Sequence, residues 1–427
     1  MPMLIKGARV IDPGQLDELC DILISGGRIE AVRPAGHFDA LSGAEVIDAR
    51  GLWLTPGLID LHVHFREPGQ EYKETILTGA RSAVAGGFTA VCTMPNTLPV
   101  NDDPAVTDYI LKKASEAALV RVYPVAAISR GLAGEQLCEF GALRAAGAVA
   151  VSDDGRPVAN SQLMRRALEY ASAFDLRVIS HCEDPALAGE GVMNESARGT
   201  RLGLAGIPNA AESVMVMRDI ALAEVTGVSV HIAHVSTRES VEAIRGAKQK
   251  GIKVTAETAP HYFSLTDEAV EGYNTNAKMN PPLRSAEDRE AVRRALADGT
   301  IDAVATDHAP HSVLEKEVEF DRAANGIIGL ESALPLGLRL VQEGILEVGT
   351  LIERMASAPA RILGLPCGVR PGLAADLTLI DPQREFTFQA RALHSKSRNT
   401  PFDGWTFRGK AVMTIVGGEI VYRDDVK

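Results

Sequence analysis

The chain has 427 residues, 46% of them hydrophobic and 23% charged, with a formal net charge of −12. That length exceeds one ordinary core and suits a large domain with a smaller companion, and the composition excludes broad disorder. A net negative charge without any Lys/Arg cluster also excludes the basic face that nucleic-acid binding requires.

The first 55 residues alternate short apolar runs with turns: LIKGARVID, CDILISGGRIEAV and AEVIDARGLWLTPG. Gly26–Gly27 falls between two such runs, where a hairpin turn is predicted. The middle of the chain then repeats a strand–helix rhythm. Apolar strand candidates are 58–65, 88–94, 120–128, 148–152, 177–182, 228–235, 253–259 and 302–307. Between them, ETILTGARSAVAGG, SQLMRRALEYASAF, ESVMVMRDIALAEVTG and ESVEAIRGAKQKG place apolar residues at helical spacing. Eight strands alternating with helices predict a closed parallel (β/α)8 barrel; no GxGxxG opens the first crossover, as an open dinucleotide-binding sheet would require. The last 60 residues return to β-rich runs, ADLTLID, REFTF and KAVMTIVGGEIVY, with a second Gly–Gly pair at 417–418. The two ends together are expected to form one small β-sandwich from 1–54 and 366–427, flanking a barrel over 55–365.

The five cysteines are scattered and no CxxC occurs, so neither a disulfide framework nor a cysteine zinc knot is expected, and a reducing cytoplasm is the simplest compartment. The N-terminus carries no basic segment followed by an apolar one, and no membrane span is expected.

In a barrel of this kind the active site forms at the C-terminal ends of the strands. His62 and His64 close the first strand candidate, and residues i and i+2 of a strand face the same side, so both imidazoles can reach one metal. His181, His234 and Asp307 end later strands, and Asp153 and Asp154 end GAVAVSDDG. A strand-end Asp alone often caps a helix or fixes a turn. Four histidines with two or more carboxylates on one rim suit zinc or a similar divalent ion. Successive side chains face opposite ways, so only one of Asp153 and Asp154 can point inward; the apolar run before them does not say which. His231 is expected to pack in the core, and His37 and His394 to be structural or exposed.

The constellation resembles the metal-dependent amidohydrolase superfamily, and within it class I dihydroorotase. DLHVHFREPG (60–69), TMPNTLPV (93–100), SDDG (152–155), SHCED (180–184), AHVST (233–237), MNPPLR (279–284), ATDHAPH (305–311), PGLAADLTLID (371–381) and NTPFDGW (399–405) carry the resemblance along nearly the whole chain. It implies one or two Zn2+ ions per subunit, with His62 and His64 on one metal, His181 and His234 on the other, and Asp154 as the bridge. Asp307 would be metal ligand and general base or acid, working with a metal-activated hydroxide. Many relatives use a carboxylated lysine as the bridge; no lysine occurs between Lys113 and Lys248, so strands three to six supply none.

The resemblance implies reversible hydrolysis of dihydroorotate to N-carbamoyl-L-aspartate in de novo pyrimidine biosynthesis. Arg66, Asn96 and His311 would hold the substrate carboxylate, Asn280 would contact the ring, and the backbone at Asn325–Gly326 would complete the pocket. A forked guanidinium suits a carboxylate; the competing reading for Arg66 is a salt bridge with Glu67 or Glu71, and for Asn280 a pre-proline turn. Segment 311–326, long and polar after Asp307, is expected to be a mobile lid. A homo-oligomer is expected, with association to aspartate transcarbamoylase left open. The alternatives are a hydantoinase- or allantoinase-type hydrolase, and a non-catalytic dihydroorotase-like partner of that transcarbamoylase.

Overall fold

Eight parallel strands run through the middle of the chain: β1 Leu58–Val63, β2 Phe88–Thr93, β3 Arg121–Ala126, β4 Ala150–Ser152, β5 Arg177–Ser180, β6 Val230–Ile232, β7 Val254–Thr258 and β8 Ala303–Val304. The computed structural model describes residues 2–38 and 43–424. The strands follow one another in sequence order around a single sheet. Just past β8, His308 bridges to Val63 in parallel, and His64 N donates to His308 O at 2.8 Å, closing the circle. The fold is therefore a (β/α)8 barrel with a second sheet built from the chain ends.

All eight strands lie inside the segments anticipated from sequence, and most stop short of them. The polar residues after them leave the ladder and turn over the barrel mouth. The helices between carry the expected apolar stripe. In Arg238–Gln249, for example, Val241, Ile244 and Ala247 are buried, and Thr237 caps the N-terminus by accepting from Ser240 N. Inside the barrel, Leu61, Cys92, Val125, Ala150, Ile179, Ala233 and Ala303 form their own apolar cluster beneath the mouth.

The strand β1 is irregular where it matters. Its register against β2 shifts between Asp60 and Val63, so it bulges at Leu61–His62. Bulges re-aim side chains and are common beside active sites. His62 N, displaced from the ladder, donates to Asp60 Oδ1 at 3.0 Å, and the same oxygen accepts from Thr306 N at 3.0 Å. One buried carboxyl thus ties the first strand to the turn after the last. Burial pushes Asp60 up to about 7 against these hydrogen bonds.

The second sheet runs in the order Glu419–Arg423, Thr406–Val416, Leu377–Thr387, Trp53–Pro56, Met3–Asp12, Leu16–Ser25 and Arg28–Pro34, with Glu45–Asp48 also on Met3–Asp12. Leu377–Thr387 pairs antiparallel with Trp53–Pro56, so the chain ends meet in one ladder. Both Gly–Gly pairs make the anticipated hairpin turns, with φ of +57° and +76° at Gly26 and Gly27 and +57° and +80° at Gly417 and Gly418. The turns also pack together: a Cβ on Gly27 would lie 2.8 Å from Gly417 O. Thr55 and Pro56, which the sequence reading assigns to the 55–365 segment, pair within this sheet.

Candidate active site

His62 and His64 stand beside each other with ring centroids 5.2 Å apart, as the HxH spacing requires. His181 and His234, from the turns after β5 and β6, pair with Nδ1 of one 2.8 Å from Nε2 of the other. Asp154 lies between the two pairs. Its Oδ1 is 3.3 Å from His62 Nε2 and 3.5 Å from both His181 Nδ1 and His234 Nε2; its Oδ2 is 3.4 Å from His64 Nε2. Asp307 Oδ1 approaches the first pair only, at 3.0 Å from His64 Nε2 and 3.6 Å from His62 Nε2.

Two triads of possible metal ligands result, His62–His64–Asp154 and Asp154–His181–His234, sharing one carboxylate. His62 Nε2 and Asp154 Oδ1 are buried and make no hydrogen bond within the chain. Buried polar atoms are rarely left so, and imidazole and carboxylate donors suit a divalent cation. The residues fit the metal the sequence implies. Burial would lower His181, yet Asp154 and Glu183 raise it to about 10. Burial would raise Asp154, yet His62, His181 and His234 hold it well below the ordinary carboxylate range.

The supports of these ligands are not evident from spacing. His64 Nδ1 meets Asn96 Oδ1 at 2.8 Å, which leaves Nε2 facing the carboxylates and the Asn96 amide nitrogen free for another acceptor. His62 Nδ1 meets Glu257 Oε1 at 3.1 Å. Burial would raise Glu257, but hydrogen bonds from His231 and His62 hold it at about 2. Asp153 turns away from the site. Its Oδ1 accepts from Ile128 N at 2.8 Å and Ser129 N at 2.9 Å, and its other oxygen accepts from the Ser129 hydroxyl, so it anchors the turn after β3.

Above the triads lies a cavity of about 230 Å³. Its wall brings together His64, Arg66, Asn96, Asp154, His181, His234, Asn280, Asp307, His311, Asn325 and Gly326, with Gly155 and Ala309 added. His62 sits beneath, fully buried. The guanidinium of Arg66 is buried, which lowers it to about 10. The carboxylates considered for it are engaged elsewhere: Glu67 accepts from Ile76 N, and Glu71 from Gly69 N. Arg66 Nε donates to Pro310 O at 3.2 Å, which aims the fork into the cavity. His311 Nε2 lies 2.8 Å from Asn325 O, which requires Nε2–H; the Arg66 contact to the same nitrogen at 3.3 Å is then packing. Asn280 Nδ2 donates to Glu183 Oε2 at 3.2 Å, leaving its buried Oδ1 without a partner.

Arg66, His234 and Asp307 have φ of +61°, +35° and +48°. Non-glycine residues there cost on the order of 1–3 kcal/mol each and cluster at functional sites. Asn399, from the C-terminal segment, braces the far wall: its Oδ1 accepts from His311 N, and its Nδ2 donates to Ala309 O and Gly326 O. Within segment 311–326 the buried ammonium of Lys316 donates to Ala324 O at 2.8 Å and Gly326 O at 3.1 Å, folding the segment on itself. The segment is tied to the barrel by Lys316 Nζ donating to Lys278 O at 3.4 Å and by the Glu315–Lys73 ion pair at 2.7 Å.

A family profile described as "Dihydro-orotase-like" matches residues 51–240. A dihydroorotase of Geotalea daltonii is 58% identical over 427 residues, covering 100% of both chains. A dihydroorotase of Geobacter sulfurreducens is 60% identical over 424 residues, covering 99% of each. Among solved structures, an L-hydantoinase (dihydropyrimidinase) from Arthrobacter aurescens matches with a TM-score of 0.89 at 26% identity, over 99% of this chain and 96% of that one. A D-hydantoinase (dihydropyrimidinase) from Thermus sp. matches with a TM-score of 0.84 at 26% identity, over 99% and 95%.

Proposed function

The chain belongs to the dihydroorotase family, and from that premise we propose that it opens and recloses the ring of dihydroorotate at this cavity, with N-carbamoyl-L-aspartate as the open form. It is a cyclic amidohydrolase. The observation that carries the site assignment is the Asp154 carboxylate, within 3.5 Å of imidazole nitrogens from both histidine pairs, beneath a cavity that Arg66 also lines.

His62 and His64 would hold one divalent ion, taken to be zinc, His181 and His234 a second, and Asp154 both. When bound, such an ion polarises a carbonyl and makes water acidic enough to attack near neutral pH. Asp307 Oδ1 takes the proton that the attacking water loses. The bond between the ring carbonyl carbon and the ring nitrogen breaks, and Asp307 returns the proton to that nitrogen. Reversing the steps closes the ring with loss of water. Arg66 and the free amide nitrogen of Asn96 grip the substrate carboxylate, with His311 beside them; Asn280 Oδ1 accepts from the ring, and the Asn325–Gly326 backbone closes the pocket.

The hydantoinase alternative shares the fold. It lacks a lysine for the bridge here and gives no task to the buried Arg66. Turnover of dihydroorotate, measured beside hydantoin and with metal analysis of the same sample, tests the proposal. Ring opening of hydantoin alone would reverse it; a metal-free, inactive chain would point to the non-catalytic partner.

Arg66→Lys is expected to retain zinc but lower kcat/KM for dihydroorotate roughly 10- to 100-fold, since a point charge cannot replace a fork whose charge-assisted hydrogen bonds are worth about 1.5–3 kcal/mol. Unchanged kinetics would remove Arg66 from the grip. Segment 311–326 is proposed to move as a lid despite its Lys316 tether. Proteolysis within it should slow when N-carbamoyl-L-aspartate is added, whereas a cleavage rate indifferent to ligand would mean a fixed loop.

The proposal includes a cytoplasmic setting, consistent with five free cysteines, and a homo-oligomer. No described helix is long and apolar enough to cross a membrane. Co-purification of the mixed chains tests association with aspartate transcarbamoylase.

A further inference from the structure

Glu257 is 1% exposed, inside the barrel and below the cavity. Burying a carboxylate costs several kcal/mol unless its oxygens are satisfied. Neither oxygen meets an arginine or lysine; each meets an imidazole. Oε1 lies 3.1 Å from His62 Nδ1 and Oε2 lies 3.1 Å from His231 Nε2. His231 Nδ1 in turn lies 2.8 Å from Thr255 Oγ1.

The sheet explains how these groups meet. Thr255 and Glu257 are two residues apart on β7 and share a face. In the parallel register between β6 and β7, His231 stands opposite Thr255. Its imidazole therefore reaches both the threonine beside it and the glutamate one step toward the mouth. The bulge in β1 brings His62 to the other oxygen. A column runs from Thr255 through His231 and Glu257 to His62, whose remaining nitrogen faces Asp154.

We infer that Glu257 is the positioning residue of His62: its carboxylate fixes that imidazole as the Nδ1–H tautomer with Nε2 bare toward Asp154, and His231, backed by Thr255, holds the carboxylate in place. This rests on the metal-site reading above. Hydrogen bonding at one imidazole nitrogen determines which nitrogen is left to bind, and a carboxylate there also raises the basicity of the ligand. His64 has a neutral support in Asn96, so the two imidazoles of one metal are held by unlike groups.

The column also predicts which substitution it tolerates. In Glu257→Gln, the amide oxygen can still accept from His62 Nδ1–H. The amide NH2 then faces His231 Nε2, which can accept once His231 carries its proton on Nδ1 and donates to Thr255 Oγ1. In Glu257→Ala nothing holds the His62 ring.

The test is zinc affinity of the purified full-length chain by chelator competition, with the two equivalents resolved. Glu257→Ala is expected to weaken one equivalent about 10- to 100-fold, to leave the other near wild type, and to lower kcat with little change in KM for dihydroorotate. Glu257→Gln should stay within about tenfold of wild type on all three measures. In 15N-histidine spectra of the zinc-loaded wild type, one slowly exchanging imidazole Nδ1–H, lost in His62→Asn, should persist in Glu257→Gln. Wild-type affinity for both equivalents in Glu257→Ala would overturn the inference. So would equal damage from Glu257→Gln, or a zinc-loaded wild type with no Nδ1–H on His62, and this last result decides even if Glu257→Ala fails to fold. A wild type that takes up no zinc would instead overturn the metal-site reading itself.

Discussion

Asp307→Asn is expected to abolish most turnover while leaving the metals bound. The side chain stands at the mouth end of the barrel just after β8, held at a left-handed φ of +48° by the turn that closes the circle. Burial would raise its carboxyl, but the hydrogen bond with His64 and the charges of His62 and His64 outweigh it and hold it well below the ordinary carboxylate range. An ionised carboxyl is the form that the proposed role as proton acceptor needs. Asparagine keeps the shape and an oxygen that can still face the His62–His64 pair, but it cannot take a proton from water or return one to the ring nitrogen. General acid–base catalysis is worth about 10²- to 10⁴-fold, and a loss of kcat in that range is expected. KM should move little, because the proposed grip of Arg66 and Asn96 acts at the far end of the substrate. Zinc stoichiometry and kcat measured on one preparation check both halves. A variant that keeps most of its kcat would assign the proton transfer to another group; one that loses kcat together with zinc would make Asp307 chiefly a ligand.

Much of this site was legible in the chain because its signals are short-range. The period-2 spacing of His62 and His64 and the apolar runs before His181, His234 and Asp307 are local patterns, and in a barrel local patterns map onto one rim. The strand positions followed for the same reason, while their ends did not: hydrophobic run length overestimates a strand whose last residues leave the ladder to form the mouth. The supports were not legible. Asp60, Glu257 and Asn399 act across strands or from the far end of the chain, on partners 195 residues away for Glu257 and His62 and 88 for Asn399 and His311. Nothing in their neighbouring residues marks them. The bulge at Leu61–His62 leaves no sequence mark either, yet it sets where His62 points. His231 shows the limit well: it was expected in the core and is 1% exposed there, but spacing could not say that its ring completes a column ending on His62. Segment 311–326 reads from its polarity as a lid, while the buried ammonium of Lys316 that ties it to Lys278 O is visible only in three dimensions.

The phase of the fourth strand does not distinguish Asp153 from Asp154, while the family resemblance favours Asp154 as the bridge, and their substitutions should separate them by metal content. Asp154 is within 3.5 Å of all four imidazoles that face the cation site, through both of its oxygens. Asp154→Ala removes the one group common to the two triads, so at least one zinc should be lost with nearly all activity. The four imidazoles would then face one another without the carboxylate charge between them, and nothing in the site replaces it. Asp153 faces the other way, with its oxygens on two backbone N–H groups and a hydroxyl of the turn after β3. Asp153→Ala leaves the N–H groups of Ile128 and Ser129 without this acceptor, at about 1–3 kcal/mol each if they stay buried and unpaired. The first expected effect is therefore on stability, seen as a lower melting temperature. Activity should fall less, about 10- to 100-fold, through a shift of the β4 end that carries Asp154. Both zinc equivalents should remain. Metal stoichiometry of the two purified variants, with melting curves alongside, decides between them. If Asp153→Ala empties the site while Asp154→Ala keeps it filled, the bridging role belongs to Asp153 and the orientation of this strand end has been read backwards.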